Sequence, residues 1–547
     1  MFTRRLTRTI ALISLLALRL PADAADALVS VTGVILDATS GAPLPARLYL
    51  QRDDGKWFFA KSAATNGTAV RYEKFRSATV SEMHTTLSAH PFVAELPAGR
   101  YTAIVERGKE YFPLTNQFTI APPPTTPGTP AAPAALRLPL RRWVDMSSRG
   151  WFSGDTHVHR APAELPNVLL AEDVNVTHPM VHWTTVSTIA PAQSPQNMKG
   201  DFGDRPVSVD ATHAWHPRNT EYEIFKVGAK PHTLGAVVII NHKTPFTQTA
   251  LPLGPIARQA RAEGALLDME KHSWPWSFVI LPVLGLDLFE LSNNHIWRTE
   301  YAVRSFGVPA PPWMKLAGGG GETERDWVSY NLQTWYALLN CGFRLRPTAS
   351  TGNGVHPVPL GFSRVYVNCP EGFSYDAWMK GLGEGRSFVT TGPMLLAKVP
   401  TLNVNPARGA KPTLRVTGET HSEQRLATLE ILLNGEVVQR LTPANQPQPN
   451  GSFTSAFSAD VEFTGSSWLA VRCFENRPGD RFRFAHTAPW WFEIEGRPLR
   501  PKREHVDWFV ARTEEEIRRN TGVIPAEGLT EFQAALAAWK KIQASAQ

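Results

Sequence analysis

The chain has 547 residues, of which 43% are hydrophobic and 19% charged, and its formal net charge is +7. This composition excludes general disorder, because disordered chains are poor in apolar residues and rich in charge. The net charge is small for this length and no long run of like charges occurs, which argues against a nucleic-acid partner. Ten of the 16 histidines lie between residues 151 and 300, so we look for function there.

Residues 1–27 have the pattern of a secretory signal peptide. A basic start, MFTRRLTRT, precedes a short apolar run, IALISLLAL, and an alanine-rich stretch. The apolar run is too short to span a bilayer comfortably. We therefore expect an exported protein, periplasmic or extracellular, with no integral membrane segment after signal removal. The three cysteines form no CxxC motif, so a metal site would use histidines and carboxylates.

The remaining chain is predicted to be multidomain, α/β plus β. Its segments are a β-sandwich at 28–120, a proline-rich linker at 121–140, an α/β domain at 141–400, a second β-sandwich at 401–497 and a helical tail at 498–547. Alternating strand-like and helical runs in the third segment favour parallel strands. Asn434-Gly435 predicts a hairpin turn. Thr513 and Glu516 fit a capping box at the start of a tail helix.

The first candidate motif is Gly-Asp155-Thr-His157-Val-His159. Residues two apart on a strand face the same way, so both imidazoles would lie side by side. That arrangement suits a divalent metal. The ordinary alternative is two surface histidines on an edge strand. The preceding Asp155 and the many histidines that follow favour the metal.

The second motif is GALLDMEKHSWPW, which ends a buried strand with His272. Functional sites of α/β folds collect at the carboxyl ends of strands. The sequence supports equally well a histidine packed against Trp274 and Trp276.

The third motif is GLDLFELSNNH, in which Glu290 leaves an apolar strand and His295 follows five residues later. A carboxylate there is costly to bury unless it is paired or binds a metal. Glu290 could instead pair with Arg298 or Arg304.

Two further segments supply candidates. Glu221 and Glu223 share a strand face, so only one of them needs to point into a site, and the strand leads to His232. The glycine-containing loop ASTGNGVH ends at His356.

In this order the motifs resemble those of the CehA/McbA family. This is the carbaryl-hydrolase-like branch of the polymerase and histidinol phosphatase (PHP) superfamily of metal-dependent hydrolases. The resemblance covers roughly residues 145–400 and rests on WFSGDTHVHR, GALLDMEKHSWPW with LGLDLFELSNN, LLNCGFRLRPTASTGNGVHPVPLGFSRVYV and GRSFVTTGPML. The first sandwich resembles the carboxypeptidase regulatory-like (transthyretin-like) fold, through Gly33, Asp37, Gly41 and LPAGRY at 96–101.

The resemblance implies a distorted (β/α)7 barrel with one to three divalent ions (Zn, Mn or Fe) at its strand ends. It implies that the metal ligands are His157, His159, Glu221, His272 and His356, with Glu221 bridging and Glu223 as its alternative. Glu221 and His295 are the candidate catalytic residues. Supporting or alternative residues are Asp155, Asp173, His178, Glu223, His232, Glu290, Asn294 and Asn353.

The sequence departs from the family pattern at two places. Where the family has an Asp-His pair, this chain reads AEDVNVTHPMVHW, so His178 or His182 takes that role or the ligand is absent. The final Ser-Asp-x-His motif reads STGNGVH, and Asn353 or His356 stands in for the missing aspartate. Both departures predict a reduced site with one or two ions.

The expected function is therefore hydrolysis of an ester, carbamate, amide or phosphoester bond by metal-activated water. The substrate would be a small aromatic or phosphorylated molecule. Five tryptophans either line its pocket or pack in the core: Trp151, Trp183, Trp274, Trp276 and Trp297. The alternative is a non-catalytic exported binding protein on a degenerate PHP scaffold. Convergence of His157, His159 and His272 would favour the enzyme.

Overall fold

The computed structural model describes residues 28–77, 79–122, 134–193, 199–299, 306–316, 323–399 and 413–547. The predicted signal peptide lies outside these residues, as does most of the predicted linker. The described chain is multidomain, α/β plus β-rich, as the sequence predicts. Within it, no helix combines the length and the apolar character needed to cross a membrane.

The first unit is a pair of facing sheets. Its strands are β1 Leu28–Asp37, β2 Ala46–Arg52, β3 Trp57–Phe58, β4 Lys61–Ser62, β5 Ala69–Phe75, β6 Ser81–Leu87, β7 Phe92–Pro97, β8 Gly99–Glu106, β9 Leu114–Ile120 and β10 Ala134–Leu140. One sheet has the order β10-β1-β7-β4 and the other β5-β6-β2-β8-β9, with β3 on β2. Apolar side chains of both sheets, among them Val31, Leu48 and Leu96, form one core.

Strand β10 corrects the predicted linker. Residues 134–140 pair in parallel with β1 instead of continuing the proline-rich spacer. Leu138 and Leu140 point into the core while Arg137 and Pro139 are exposed, which is the alternation of a half-buried strand. The strand tolerates its proline because it lies at the sheet edge.

The central unit alternates strands and helices. Its elements are β11 Trp151–Val158, α1 Leu165–Glu172, β12 Val176–Pro179, β13 His182–Val186, β14 Ala192–Gln193, β15 Val207–Ser208, β16 Ala214–Trp215, β17 Thr220–Val227, β18 Lys230–Pro231, β19 Ala236–Ile240, α2 Gly254–Glu263, β20 Leu266–Met269, α3 Ser277–Ile280, β21 Leu288–Ser292, α4 Glu324–Asn340, β22 Arg346–Ala349, β23 Arg364–Asn368, α5 Tyr375–Glu384 and β24 Ser387–Thr390.

One central sheet has the order β14-β13-β17-β19-β20-β21-β22, with β18 on β17. Its β13–β17, β20–β21 and β21–β22 pairs are parallel, as expected. Strand β19 is antiparallel to both neighbours, because the short connection after β17 returns the chain as a hairpin rather than through a helix.

Strand β11 belongs to a second sheet, whose central part has the order β15-β16-β12-β11-β23-β24, and it lies next to the first. It pairs in parallel with β12 and antiparallel with β23. The Thr156 hydroxyl donates to the carbonyl of Ala349, 3.2 Å away, and the amide of Gly352 donates to the carbonyl of His157 at 3.0 Å. The carboxyl ends of β11 and β22 therefore lie next to each other.

The last β-rich unit contains β25 Met394–Lys398, β26 Thr413–Ser422, β27 Thr428–Leu433, β28 Glu436–Leu441, β29 Gln446–Pro447, β30 Phe453–Glu462, β31 Ser467–Arg477, β32 Arg481–Thr487 and β33 Trp490–Phe492. The predicted turn joins β27 to β28, with positive φ angles of 52° at Asn434 and 87° at Gly435. Strand β32 also pairs with β24, so one sheet runs from the central unit into this one.

The tail forms α6 Arg503–Asn520 and α7 Ala526–Ala544. The indole of Trp539 donates to the carbonyl of Phe278, 2.7 Å away, and anchors α7 on α3. The predicted capping box is wrong, because Thr513 lies inside α6. Its hydroxyl donates to the carbonyl of Phe509 one turn earlier.

Candidate metal centre

His157 and His159 lie at the end of β11 and face the interior of the central unit. Their side chains are 1% and 8% exposed, and their Nε2 atoms lie 3.1 Å apart. The sequence therefore predicted correctly that the two imidazoles lie side by side and are not on the protein surface.

Glu221, near the start of β17, completes a three-residue group. Its Oε2 lies 3.5 Å from Nε2 of His157 and 3.3 Å from Nε2 of His159. Neither carboxylate oxygen has a hydrogen-bond partner among the described residues. Buried polar atoms are normally satisfied, so an unsatisfied carboxylate beside two imidazoles is suited to an ion.

The proton equilibria of this group are strongly shifted. Burial disfavours a charged His157, but Glu221 and Glu290 outweigh it and raise the pKa of this imidazole to about 10. Burial would raise the pKa of Glu221, yet the two histidines hold it well below its ordinary value. The pKa of His159 is lowered, chiefly by burial. Protons and a metal ion would compete for the same three atoms.

Glu290, on β21, orients His157 from the opposite side of the ring. Its Oε1 lies 3.1 Å from Nδ1 of His157. Of the two alternatives for this carboxylate, Arg298 instead pairs with Glu82 at 3.1 Å, and Arg304 lies outside the described residues. A carboxylate on the second nitrogen of a metal-binding histidine fixes the tautomer and the ring orientation.

Glu270 and Lys271, directly after β20, were missed by sequence reasoning. Oε1 of Glu270 lies 3.7 Å from Nδ1 of His157 and contacts the ammonium of Lys271. In the part of the chain that the structure describes, three groups have mutually close ligand atoms: His157 with His159 and Glu221, His157 with Glu270 and Glu290, and Glu221 with Glu223 and Glu270. The argument that singled out Glu290, a carboxylate leaving an apolar strand, applies equally to Glu270.

Glu223 lies beside this lysine at the edge of the centre. Its Oε1 is 3.4 Å from Nζ of Lys271, and its side chain is 12% exposed. It shares the third group with Glu221, so both carboxylates of the predicted pair reach the centre.

His272 lies among aromatic rings and joins none of the three groups. Its ring stacks on Phe289 with 4.8 Å between centroids and an interplanar angle of 7°. Tyr330 and Trp327 lie next to it, rather than the expected Trp274 and Trp276. Burial lowers its pKa to about 3.

The loop after β22 brings two more predicted residues close to the centre. Nε2 of His356 lies 3.2 Å from Nδ2 of Asn294. The side-chain amide of Asn353 donates to the carbonyl of Val358 at 2.6 Å, and the main-chain carbonyl of Asn353 accepts from the amide of His159 at 2.7 Å. None of the three belongs to a metal-holding group in the described residues.

Asp155 holds this loop against β11. Its carboxylate accepts hydrogen bonds from the hydroxyl of Thr351 at 2.5 Å and from the amide of Gly361 at 2.8 Å. Burial raises its pKa to about 7 despite these donors. Its role is to position the loop rather than to reach the ligand atoms.

The first unit also holds the loop. The hydroxyl of Tyr72, on β5, donates to the carbonyl of His356 at 2.6 Å and accepts from the amide of Gly354 at 2.8 Å. Nothing in the sequence links β5 with this loop, which is 282 residues away from it.

His295, a candidate catalytic residue, packs edge-on against Trp327, with 4.9 Å between ring centroids. Its Nδ1 is buried without a hydrogen-bond partner among the described residues. It belongs to none of the three groups.

Several other candidates have contacts elsewhere. Asp173 pairs with Arg107 and Arg142 of the first unit, at 2.9 and 2.5 Å. Nε2 of His178 lies 3.0 Å from the hydroxyl of Tyr375. His232 contacts Asn520 of α6 at 2.9 Å. The structure does not bring these three into the groups around His157.

A cleft of about 510 Å³ reaches the centre at His159. Tyr72, Lys74 and Arg160 contribute to its walls. Of the five tryptophans considered for a pocket, Trp183 contacts a β11 histidine, with 4.9 Å between its ring centroid and that of His159. Trp276 is fully buried in the core.

Comparison of the chain with known protein families and with curated proteins found no match.

Proposed function

We propose that this chain is an exported metal-dependent hydrolase whose ion is held by His157, His159 and Glu221. The observation that carries the proposal is the spacing of their ligand atoms, 3.1, 3.3 and 3.5 Å. Ligands about 2.1 Å from a tetrahedral ion lie about 3.4 Å from one another. The donor set of two imidazoles and one carboxylate suits Zn²⁺, Mn²⁺ or Fe²⁺.

The local charge supports the same proposal. Glu221, Glu270 and Glu290 are almost completely buried around His157. Burying carboxylates without compensating cations is strongly unfavourable. The nearby Lys271 is one cation for this cluster, and a divalent ion would supply two further positive charges.

A bound ion would polarise the substrate and provide hydroxide near neutral pH. The remaining roles would belong to side chains around the ion. Glu290 would hold the proton on Nδ1 of His157, leaving Nε2 free as a ligand. Glu221 would serve as ligand and as acceptor for the proton of the attacking water. Trp183, whose ring centroid lies 4.9 Å from that of His159, would limit rotation of this ligand.

The central unit would be a distorted (β/α)7 barrel of the CehA/McbA type, in which β11 and β22 close the ring of strands. The chain would reach the periplasm or the outside through residues 1–27. The bond cut would be an ester, carbamate, amide or phosphoester. His295 stays a predicted catalytic residue, and His272 and His356 are not proposed as ligands.

The same experiment distinguishes the hydrolase from a non-catalytic binding protein. Convergence of His157, His159 and His272 is expected to favour the enzyme. His157 and His159 converge beside Glu221, whereas His272 does not. Hydrolysis of p-nitrophenyl phosphates, aryl esters and aryl carbamates should be measured with and without Mn²⁺ or Zn²⁺, together with elemental analysis. We expect His157→Ala to lose both bound metal and turnover.

His90→Ala is the matched control, because His90 lies in the first sandwich and contacts Ser88. It should keep the metal and the activity. If the wild-type chain bound no metal and hydrolysed no substrate of the panel, the proposed function would be wrong.

A further inference from the structure

The ammonium of Lys271 lies beside two members of one of the three ligand groups. That group consists of Glu221, Glu223 and Glu270. The ammonium contacts Oε1 of Glu270 and lies 3.4 Å from Oε1 of Glu223. The lysine side chain is only 5% exposed, so it is not a surface charge that happens to lie nearby.

This group is where a second ion would be expected. It shares Glu221 with the group formed by His157 and His159. Paired metal sites place two ions about 3.5–4 Å apart, which requires shared or adjacent ligands. Since a carboxylate can use both oxygens, Glu221 could bridge two cations at these positions.

The remaining group offers no separate ion position. It uses Nδ1 of His157, which lies 3.1 Å from Oε1 of Glu290. If Nε2 of His157 binds an ion, the neutral ring carries its proton on Nδ1 and donates it to a carboxylate. That nitrogen then cannot bind a second ion.

We propose that Lys271 takes the place of a second metal ion, so that the centre holds one divalent cation and one built-in ammonium. This inference rests on the proposed metal centre of His157, His159 and Glu221. The ammonium neutralises Glu223 and Glu270. Unlike a metal ion, it provides no Lewis acidity and does not generate hydroxide. The centre would therefore be mononuclear, and Lewis acidity would come from a single ion held by His157, His159 and Glu221.

Metal stoichiometry tests this inference directly. The full chain, stripped with a chelator, should be dialysed against Mn²⁺ or Zn²⁺ and its bound metal measured by mass spectrometry. The wild-type chain should hold one ion. Lys271→Met removes the charge at similar length and should raise the content to two. Lys271→Arg keeps the charge and should stay at one, as should the control Lys243→Met at an exposed lysine.

The electron paramagnetic resonance spectrum of the Mn²⁺-loaded forms gives a second measurement. Wild-type chain should show isolated Mn²⁺, and Lys271→Met should show the spin-coupled signal of a pair. Circular dichroism reports whether each variant folds. If Lys271→Met does not fold, Lys271→Gln replaces it as the uncharged variant.

Two ions in the wild-type chain, or one ion in both uncharged variants, would overturn the role of Lys271. No ion in any form would instead overturn the proposed metal centre, so the two failures are distinguishable.

Discussion

Nδ1 of His157 and Oε1 of Glu290 lie 3.1 Å apart, across a contact that joins β11 to β21. The carboxylate turns the ring so that Nε2 faces Glu221 and His159. Both side chains are almost fully buried, so water does not compete for the contact. In the proposed metal centre, this relationship makes Glu290 an orienting residue for the ligand His157 rather than a ligand itself.

Glu290→Gln should weaken metal binding by about 10- to 100-fold, the usual cost of losing a carboxylate behind a ligating histidine. The amide oxygen can still accept the hydrogen bond, but the negative charge is lost. Affinity should be measured by competition with a chelating dye. Glu371→Gln, at an exposed position, is the control, and an unchanged affinity in Glu290→Gln would contradict the orienting role.

Glu82 makes the stability of the chain depend on pH. Burial alone would raise the pKa of this carboxyl, but Arg298, His84 and Arg47 lower it from 4.5 to about 2. The depressed pKa stabilises the fold above about pH 4.5, and the contribution disappears as the pH falls toward 2.

Glu82→Gln should therefore lower the free energy of unfolding by about 3 kcal/mol at pH 7. The difference from wild type should shrink between pH 4.5 and 3. Urea unfolding followed by tryptophan fluorescence at several pH values measures it. Glu73→Gln, at an exposed residue, should show no such trend. A difference that stayed constant down to pH 3 would refute the linkage.

Tyr72→Phe should loosen the loop that carries Asn353 and His356. The change leaves the amide of Gly354 and the carbonyl of His356 without the hydroxyl they share. Leaving buried polar groups unsatisfied costs about 1–3 kcal/mol. We expect faster hydrogen exchange at Gly354 with unchanged exchange in β30, and unchanged metal content because the ligands lie elsewhere. Equal exchange in both proteins would show that the hydroxyl does not hold the loop.

Trp539→Ala should detach the tail from the central unit. The indole is fully buried and donates to Phe278. Replacing a buried tryptophan by alanine costs about 3–5 kcal/mol. The loss of stability would be measured by thermal unfolding, and the detachment of the tail by limited proteolysis after residue 497. Gln533→Ala, on the exposed face of α7, should leave both unchanged, and a similar loss in the two variants would refute specific docking.

Strands with strong apolar runs could be predicted from sequence. The runs around Ile240, Leu267 and Phe289 became β19, β20 and β21. The direction of β19 could not, because it is set by the short connection after β17 and not by the apolar run itself. The pairing of β10 with β1 could not either, because it joins segments that are distant in the chain. Local patterns specify the elements, whereas packing decides their partners.

The site was predictable where its residues are two apart on a strand or end an apolar run. His157, His159, Glu221 and Glu290 meet these conditions. His272 meets them too, yet it packs on Phe289, because an imidazole stacks in an aromatic cluster as readily as it binds metal. Lys271 carries no sequence signal, since its role depends on where Glu223 of another strand ends.

The pairing of β24 with β32 has a practical consequence for anyone who trims the chain. Within the sheet, Val389 of β24 is paired with Val365 of β23 on one side and with His486 of β32 on the other. A fragment ending near residue 400 would expose β24 as a bare edge with unpaired amides and carbonyls. Such edges recruit strands from other molecules, so shortened forms should precipitate rather than simplify crystallisation.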